Sequence, residues 1–162
     1  MDNTVGSLTQ LEKSIIVGSL LGDGYLRIVP GRFNALLEIN HTIHQKDYVD
    51  WKYEMLKSIC KSGPVSRQGN GNRIAYRFNT RQHPELTEFH KLFYVHGKKC
   101  IPDNIKLDPI ILAVWYMDDG SKCNEDNFYL NTQQFDLLGQ RNCMKMLFAL
   151  EKASGSKEHH YA

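Results

Sequence analysis

Two aspartates carry the strongest chemical signal in this chain. Asp23 stands in Gly22-Asp23-Gly24 after the apolar run SIIVGSLL, and Asp119 stands in Asp118-Asp119-Gly120 after PIILAVWYM. Each run reads as a helix, so each carboxylate sits against the negative end of a helix dipole, at a local cost of a few tenths to about 1 kcal/mol. A lone Gly-Asp-Gly reads as a helix stop; its repetition points to a cation shared by the two turns. If the turns meet about a pseudo-twofold axis, their carboxylates repel unless a divalent ion neutralises them, and hard oxygen ligands select Mg²⁺, with Mn²⁺ as a substitute. Such a site suits in-line attack of water on a phosphodiester. The second turn lacks the D-x-D-x-D-G oxygen spacing of a calcium loop. His41 and His44, three apart on an expected strand, point to opposite faces and do not read as a metal pair.

The helices must bring the turns together. Gly18 and Gly22, four apart on one face of the first helix, permit a close approach. The second helix offers Val114 and Asp118 there, both bulkier, so the contact is expected to be asymmetric. Thr9-Gln10-Leu11-Glu12 is a capping box that starts the first helix, which is expected to end at Gly22 with Gly24 in the left-handed conformation. Asp108-Pro109 starts the second by the N-cap and first-turn proline rule.

Between them, strands are expected at Tyr25–Val29 and Leu36–His44, the latter with Leu37, Ile39 and Ile43 on its apolar side and His41 interrupting it. A helix follows from Asp47 to Ile59, with Trp51, Met55 and Ile59 as its core stripe. Gly69-Asn70-Gly71-Asn72 reads as a hairpin tip. In the strand after it Ile74, Tyr76 and Phe78 face one way and Arg73, Arg77, Asn79 and Arg81 the other. Pro84–Tyr94 reads as a helix and Gly97–Asn104 as a basic connecting loop. After the second acidic turn come a strand, Phe128–Gln133, a helix, Asp136–Lys152, and a polar tail from Ser154 to His160. The order helix, acidic turn, strand, helix thus begins twice, a diverged internal repeat.

The 162 residues, 41% apolar, fit one domain or two small ones able to bury a core. No run approaches the roughly 18 apolar residues of a membrane span, and the N-terminus lacks the basic and apolar regions of a signal peptide. The expectation is an intracellular protein with no membrane partner. Cys60, Cys100, Cys123 and Cys143 form no C-x-x-C pair and read as reduced thiols. The formal charge is only +2, but Lys61, Arg67, Arg73, Arg77 and Arg81 cluster without an acidic residue among them. Local density on one face governs phosphate contact. Arg and Asn suit the edges of guanine and adenine, and Glu38, Asn40, Thr42, Tyr129, Asn131 and Gln133 add hydrogen-bonding groups on other strands. Such a sheet surface can lie in a major groove, while a solvated sheet face is the plainer reading of the same residues.

The stretches IIVGSLLGDGYL and ILAVWYMDDGS resemble the paired motifs of the LAGLIDADG homing endonucleases, in the branch whose motifs read LLGDG and WFMDDG. His44-Gln45-Lys46-Asp47-Tyr48, Lys98-Lys99-Cys100-Ile101-Pro102-Asp103-Asn104 and Leu130-Asn131-Thr132-Gln133 extend the likeness, which spans about Leu8 to Leu150. The resemblance implies an α+β fold of two pseudo-symmetric αββαββα repeats, residues 1–104 and 105–162, with antiparallel sheets over double-stranded DNA. It implies Asp23 and Asp119 as catalytic metal ligands, with Asp118 at a non-catalytic place. Gln45 matches a residue that organises water near the metal, and Lys98 or Lys99 a basic residue supporting the scissile phosphate. Arg27, Glu38, Asn40, Thr42, Arg67, Arg73, Arg77, Asn79, Arg81, Asn131 and Gln133 are the DNA-facing candidates.

Members of that branch continue past the last helix with another hairpin and helix, which carry a second lysine and half of the DNA-reading surface. The second repeat here is therefore expected to be C-terminally shortened, which puts double-strand cleavage in question. Two motifs imply a monomer, and a dimer becomes relevant if the absent strands are supplied in trans. Two functions follow: a divalent-metal-dependent, site-specific DNA endonuclease of intron or intein homing, or an intron-splicing maturase or DNA- or RNA-binding protein without nuclease activity, with intron RNA as partner. The family places such chains in organelles (chloroplast or mitochondrion) or in bacterial or archaeal cytoplasm.

Overall fold

The computed structural model describes residues 6–124 and 127–153; the expected polar tail from Ser154 lies outside them. Helix α1 (Gln10–Leu21) opens on the capping box, in which Thr9 Oγ1 accepts the Glu12 N–H at 3.2 Å and Glu12 Oε2 accepts the Thr9 N–H at 2.7 Å. Ile15, Ile16, Val17, Leu20 and Leu21 are all buried, so α1 is apolar around most of its girth, as a central helix must be. Strands β1 (Tyr25–Ile28) and β2 (Ala35–Thr42), helix α2 (Lys46–Met55), strands β3 (Val65–Gln68) and β4 (Ile74–Asn79) and helix α3 (Pro84–Phe93) follow. A ribbon of β5 (Tyr94–Val95) and β6 (Lys98–Lys99) leads to helix α4 (Pro109–Asp119), β7 (Gly120–Lys122), β8 (Phe128–Leu130) and helix α5 (Leu137–Ala153).

The four longer strands form an antiparallel sheet in the order β1-β2-β4-β3. Leu26, Leu37, Ile39, Tyr76 and Phe78 are buried on its inner side. The register sets Glu38 opposite Asn79, Asn40 opposite Arg77, and both Thr42 and Arg67 opposite Ala75, so the outer face is polar. Strands β7 and β8 make a separate antiparallel pair after α4.

Helices α1 and α4 pack along Gly18 and Gly22. A Cβ on Gly18 would lie 2.7 Å from Val114 Cβ and 2.8 Å from the Ile111 carbonyl oxygen, and one on Gly22 would lie 2.4 Å from Asp118 Cβ. The helix starts are also tied, since Asp108 caps α4 through the Ile111 N–H at 2.8 Å and accepts the Ser14 hydroxyl at 2.5 Å.

Several expectations change. Gly24 is not left-handed; among the described residues the glycines with positive φ are Gly31, Gly71 and Gly97. What requires glycine at 24 is space, because its N–H bonds the Ser19 carbonyl at 2.7 Å and a Cβ would stand 2.7 Å from that same oxygen. The buried residues of α2 are Tyr48, Val49 and Lys52; of the expected stripe, Ile59 is buried and Met55 packs against the core, while Trp51 is 40% exposed. The turn at Leu56–Cys60 is a 3-10 segment, which rotates Ile59 off the α-helical register. Ile74, at the hairpin end of β4, is 40% exposed although Tyr76 and Phe78 are buried. Lys98 and Lys99 belong to a ribbon strand rather than a loop. All four cysteines are free thiols, as expected.

Gly18→Ala should cost about 1–3 kcal/mol, because its methyl group meets backbone that cannot rotate away. Urea denaturation at matched pH reads this directly, and an unchanged midpoint would show that the helices separate without penalty.

Candidate functional site

Close packing of α1 on α4 brings the ends of both helices to one place. Asp119 is the last residue of α4, and Asp23 follows the Gly22 cap of α1. The Asp23 side chain is 50% exposed. Asp119 is partly buried, and its carboxyl pKa is raised to about 6 by burial and then by the charges of Asp23 and Asp118. The two predicted carboxylates therefore lie within each other's field.

Lys99 ties the first turn in place: its ammonium donates to the carbonyls of Gly22 at 2.6 Å and Gly24 at 2.9 Å, on either side of Asp23. Burial lowers its pKa to about 8 against the opposing pull of Asp119, Asp23 and Asp118. Lys98, one residue earlier on the ribbon, points to solvent. Gln45 sits at the start of α2, close enough to His41 to influence its protonation. On the α4 side, the Gln134 amide donates to Asp119 Oδ2 at 3.0 Å, and Asn131 donates to the Asp119 carbonyl at 2.7 Å.

Asp118 takes a different direction from its neighbour. Its side chain is fully buried and receives Lys52 Nζ at 2.7 and 3.0 Å and the Tyr48 hydroxyl at 2.8 Å. Its Oδ2 also accepts the Asp23 N–H at 3.3 Å. His41, nearly enclosed on the inner side of β2, stands between the acids, 3.8 Å from Asp23 Oδ2 and 3.6 Å from Asp118 Oδ1. Burial and then the Lys52 charge lower the His41 pKa, while both aspartates oppose this. Burial likewise lowers the Lys52 pKa, opposed by Asp118.

The expected DNA-facing residues divide. Glu38, Asn40, Thr42, Arg67, Arg77 and Asn79 share the outer face of the sheet, with Arg27, which pairs with Glu38 at 2.5 Å. Arg73 and Arg81 flank β4 outside its ends and are exposed. Asn131 and Gln133 lie beyond β8, exposed and separate from this sheet.

Lys52, Tyr48, His41 and Gln134 are not among the site residues that the sequence predicts. The interruption of the β2 pattern by His41 was the one local signal. For Lys52 there was none, since a lysine on an amphipathic helix normally faces water.

The donor set fits a small hard cation. Asp23 and Asp119 supply two carboxylates within each other's field, and among the described residues no group of three or more His, Cys, Asp or Glu side chains is arranged to hold a metal, so a cation there would draw its remaining ligands from water or phosphate. Mg²⁺ is the ion that retains several waters and binds through one or two carboxylates together with phosphate oxygens.

A model of the LAGLIDADG DNA endonuclease family matches residues 13–152. Among relatives, Protein RecA of Mycobacterium gastri is 37% identical over 119 residues, covering 70% of this chain and 27% of that one. DNA endonuclease I-ChuI of Chlamydomonas applanata is 33% identical over 134 residues, 71% of this chain and 60% of that one. Cytochrome b mRNA maturase bI2 of Debaryomyces hansenii is 28% identical over 143 residues, 82% of this chain and 54% of that one. The chain thus spans less than two thirds of the length of each of these curated relatives. The solved homing endonuclease I-WcaI, bound to its DNA recognition sequence, superposes with a TM-score of 0.75 at 24% identity, over 88% of this chain and 68% of that one. The fold is the α+β homing-endonuclease fold with antiparallel sheets, and with the family match running through both acidic turns, the chain belongs to the LAGLIDADG DNA endonuclease family.

Proposed function

We propose that this chain is a divalent-metal-dependent, site-specific endonuclease of double-stranded DNA, with Asp23 and Asp119 as its metal ligands. The observation that supports this most is the pair of carboxylates at the ends of two glycine-packed helices, where the charge of Asp23 helps to raise the Asp119 pKa. Residues 1–104 would form the first repeat and 105–162 the second. Bound between the two aspartates, Mg²⁺ or Mn²⁺ would neutralise phosphate charge and activate water.

The chain's own residues have separate tasks on this reading. Asp23 and Asp119 bind the cation. Lys99, buried and fixed on the Asp23 turn, supplies a positive charge for the scissile phosphate, a task for which exposed Lys98 is the weaker candidate. Gln45 and Gln134 hold amides beside the acidic centre and can orient water there. The outer face of the β1-β2-β4-β3 sheet, with Asn40, Arg77, Asn79, Thr42 and Arg67, offers side chains to base edges and phosphates. Among the described residues, Arg27 is the arginine of this face that forms an ion pair, with Glu38.

A second reading is an intron-splicing maturase on the same scaffold, favoured by the likeness over 82% of the chain to the Debaryomyces maturase. Incubation with Mg²⁺ and a plasmid carrying the intron-less insertion site separates the two. Nicking or cutting supports the endonuclease, while tight intron-RNA binding with no nicking supports the maturase.

For the endonuclease, Asp23→Asn should lower cleavage by about a thousandfold or more, since it removes a direct metal ligand, while DNA affinity stays within a fewfold. Unchanged cleavage by Asp23→Asn sinks the assignment.

The cost of burying the Asp119 carboxylate beside the other acids is also measurable without metal. Because Asp119 has its folded-state pKa raised to about 6, the folded chain takes up this proton at higher pH than the unfolded chain does. Its ionisation is therefore a cost present above about pH 6 that fades as the pH falls towards 4. In EDTA at neutral pH, Asp119→Asn should raise the thermal midpoint, and the difference should close by about pH 4. A constant difference across that range would contradict the raised pKa.

A further inference from the structure

We infer that Lys52 and Asp118 are positioning residues that set the cation affinity of the acidic centre by holding the Asp23 turn from beneath. The inference rests on the reading of Asp23 and Asp119 as metal ligands. It begins with the asymmetry of the helix contact. Asp118 takes the place on α4 that faces Gly22 on α1, and its Cβ leaves no room for another there. Asp119 is only partly buried, whereas the Asp118 carboxylate is fully buried. There it makes four hydrogen bonds, two from Lys52, one from Tyr48 and one from the backbone N–H of Asp23.

The last of these is the functional link, because it attaches the metal-ligand turn of α1 to the C-terminus of α4. Lys52 is what makes the attachment tolerable. Without it, Asp118 would place a third negative charge beside Asp23 and Asp119 with no solvent to disperse it. With it, the pair is neutral overall. The ammonium also lies 4.5 Å above the Tyr48 ring, whose hydroxyl reaches both Asp118 and the Val114 carbonyl at 3.2 Å, so α2 locks the assembly. Gln45 and His41, at the start of α2 and on β2, meet the same cluster, which places the Asp23 turn under control of elements that also carry the reading face.

A merely structural ion pair and a positioning pair give different results. Buried ion pairs contribute little net stability, and their replacement by apolar residues of similar volume is often neutral. The double substitution Lys52→Met/Asp118→Leu keeps net charge and approximate volume while removing the tie to the Asp23 N–H. The expected result is a thermal midpoint near that of the unsubstituted chain together with a 10- to 100-fold loss of Mn²⁺ affinity, about the size found when groups behind metal ligands are removed, read by electron paramagnetic resonance with Mn²⁺ alone. Cleavage under limiting Mn²⁺ should fall in parallel and recover in part at saturating Mn²⁺.

If that variant does not fold, Asp118→Asn serves, because it keeps the shape and leaves the Lys52 charge unbalanced beside the ligands; it too should weaken Mn²⁺ binding. Mn²⁺ affinity within twofold of the unsubstituted chain in a folded variant overturns the inference. Should the unsubstituted chain bind no Mn²⁺ that Asp23→Asn removes, the metal-ligand reading itself fails and this inference falls with it, an outcome distinguishable from the first.

Discussion

The approach of α1 to α4 through Gly18 and Gly22 is the constraint on which the remaining structure depends. Backbones that come this close bring their C-termini together as well, and each terminus bears an acidic turn. Helix dipoles and carboxylates of like sign then come within one another's field. The same closeness decides the fate of Asp118. With Gly22 pressed against its Cβ, its carboxylate turns to α2, and a buried carboxylate requires a buried partner, which Lys52 supplies. A glycine in one helix thus has, as its indirect consequence, a lysine two elements away.

The sheet meets this centre through its inner side. Strand β2 carries Leu37 and Ile39 into the core, and at the next inward position His41 reaches the acids. The outward residues of the same strand, Glu38, Asn40 and Thr42, belong to the polar outer face of the sheet. Period-two alternation therefore makes one strand serve both surfaces, which holds the outer polar face and the acidic centre in rigid register. Lys99 adds the complementary fixation from the β5–β6 ribbon, holding the carbonyls on both sides of Asp23.

Local signals were legible where the chemistry is local. The capping box at Thr9 and Glu12, the Asp108-Pro109 start, the hairpin at Gly71 and the one-sided Arg77 and Asn79 all follow from neighbours a few residues apart. The close helix approach was legible too, because Gly18 and Gly22 four apart have few other uses in an apolar helix. The α2 core face was misread because Trp51 is large and apolar, yet it stacks on Tyr48 at the surface while Lys52 goes inside. Gly24 was misassigned to a left-handed turn because glycine serves both conformational freedom and close approach, and spacing alone does not separate them.

The sequence by itself determined the starts of α1 and α4, the alternation of the sheet and the two acidic turns, since each of these is encoded within a few consecutive residues. Only the tertiary structure decided which lysine of Lys98-Lys99 is buried on the Asp23 turn, that Lys52 and His41 stand beneath the acids, and that Asp118 and Asp119 part in opposite directions. The physical reason is common to all three. Burial of a charge is settled by partners brought from distant parts of the chain, and no local pattern records where those partners will come to rest.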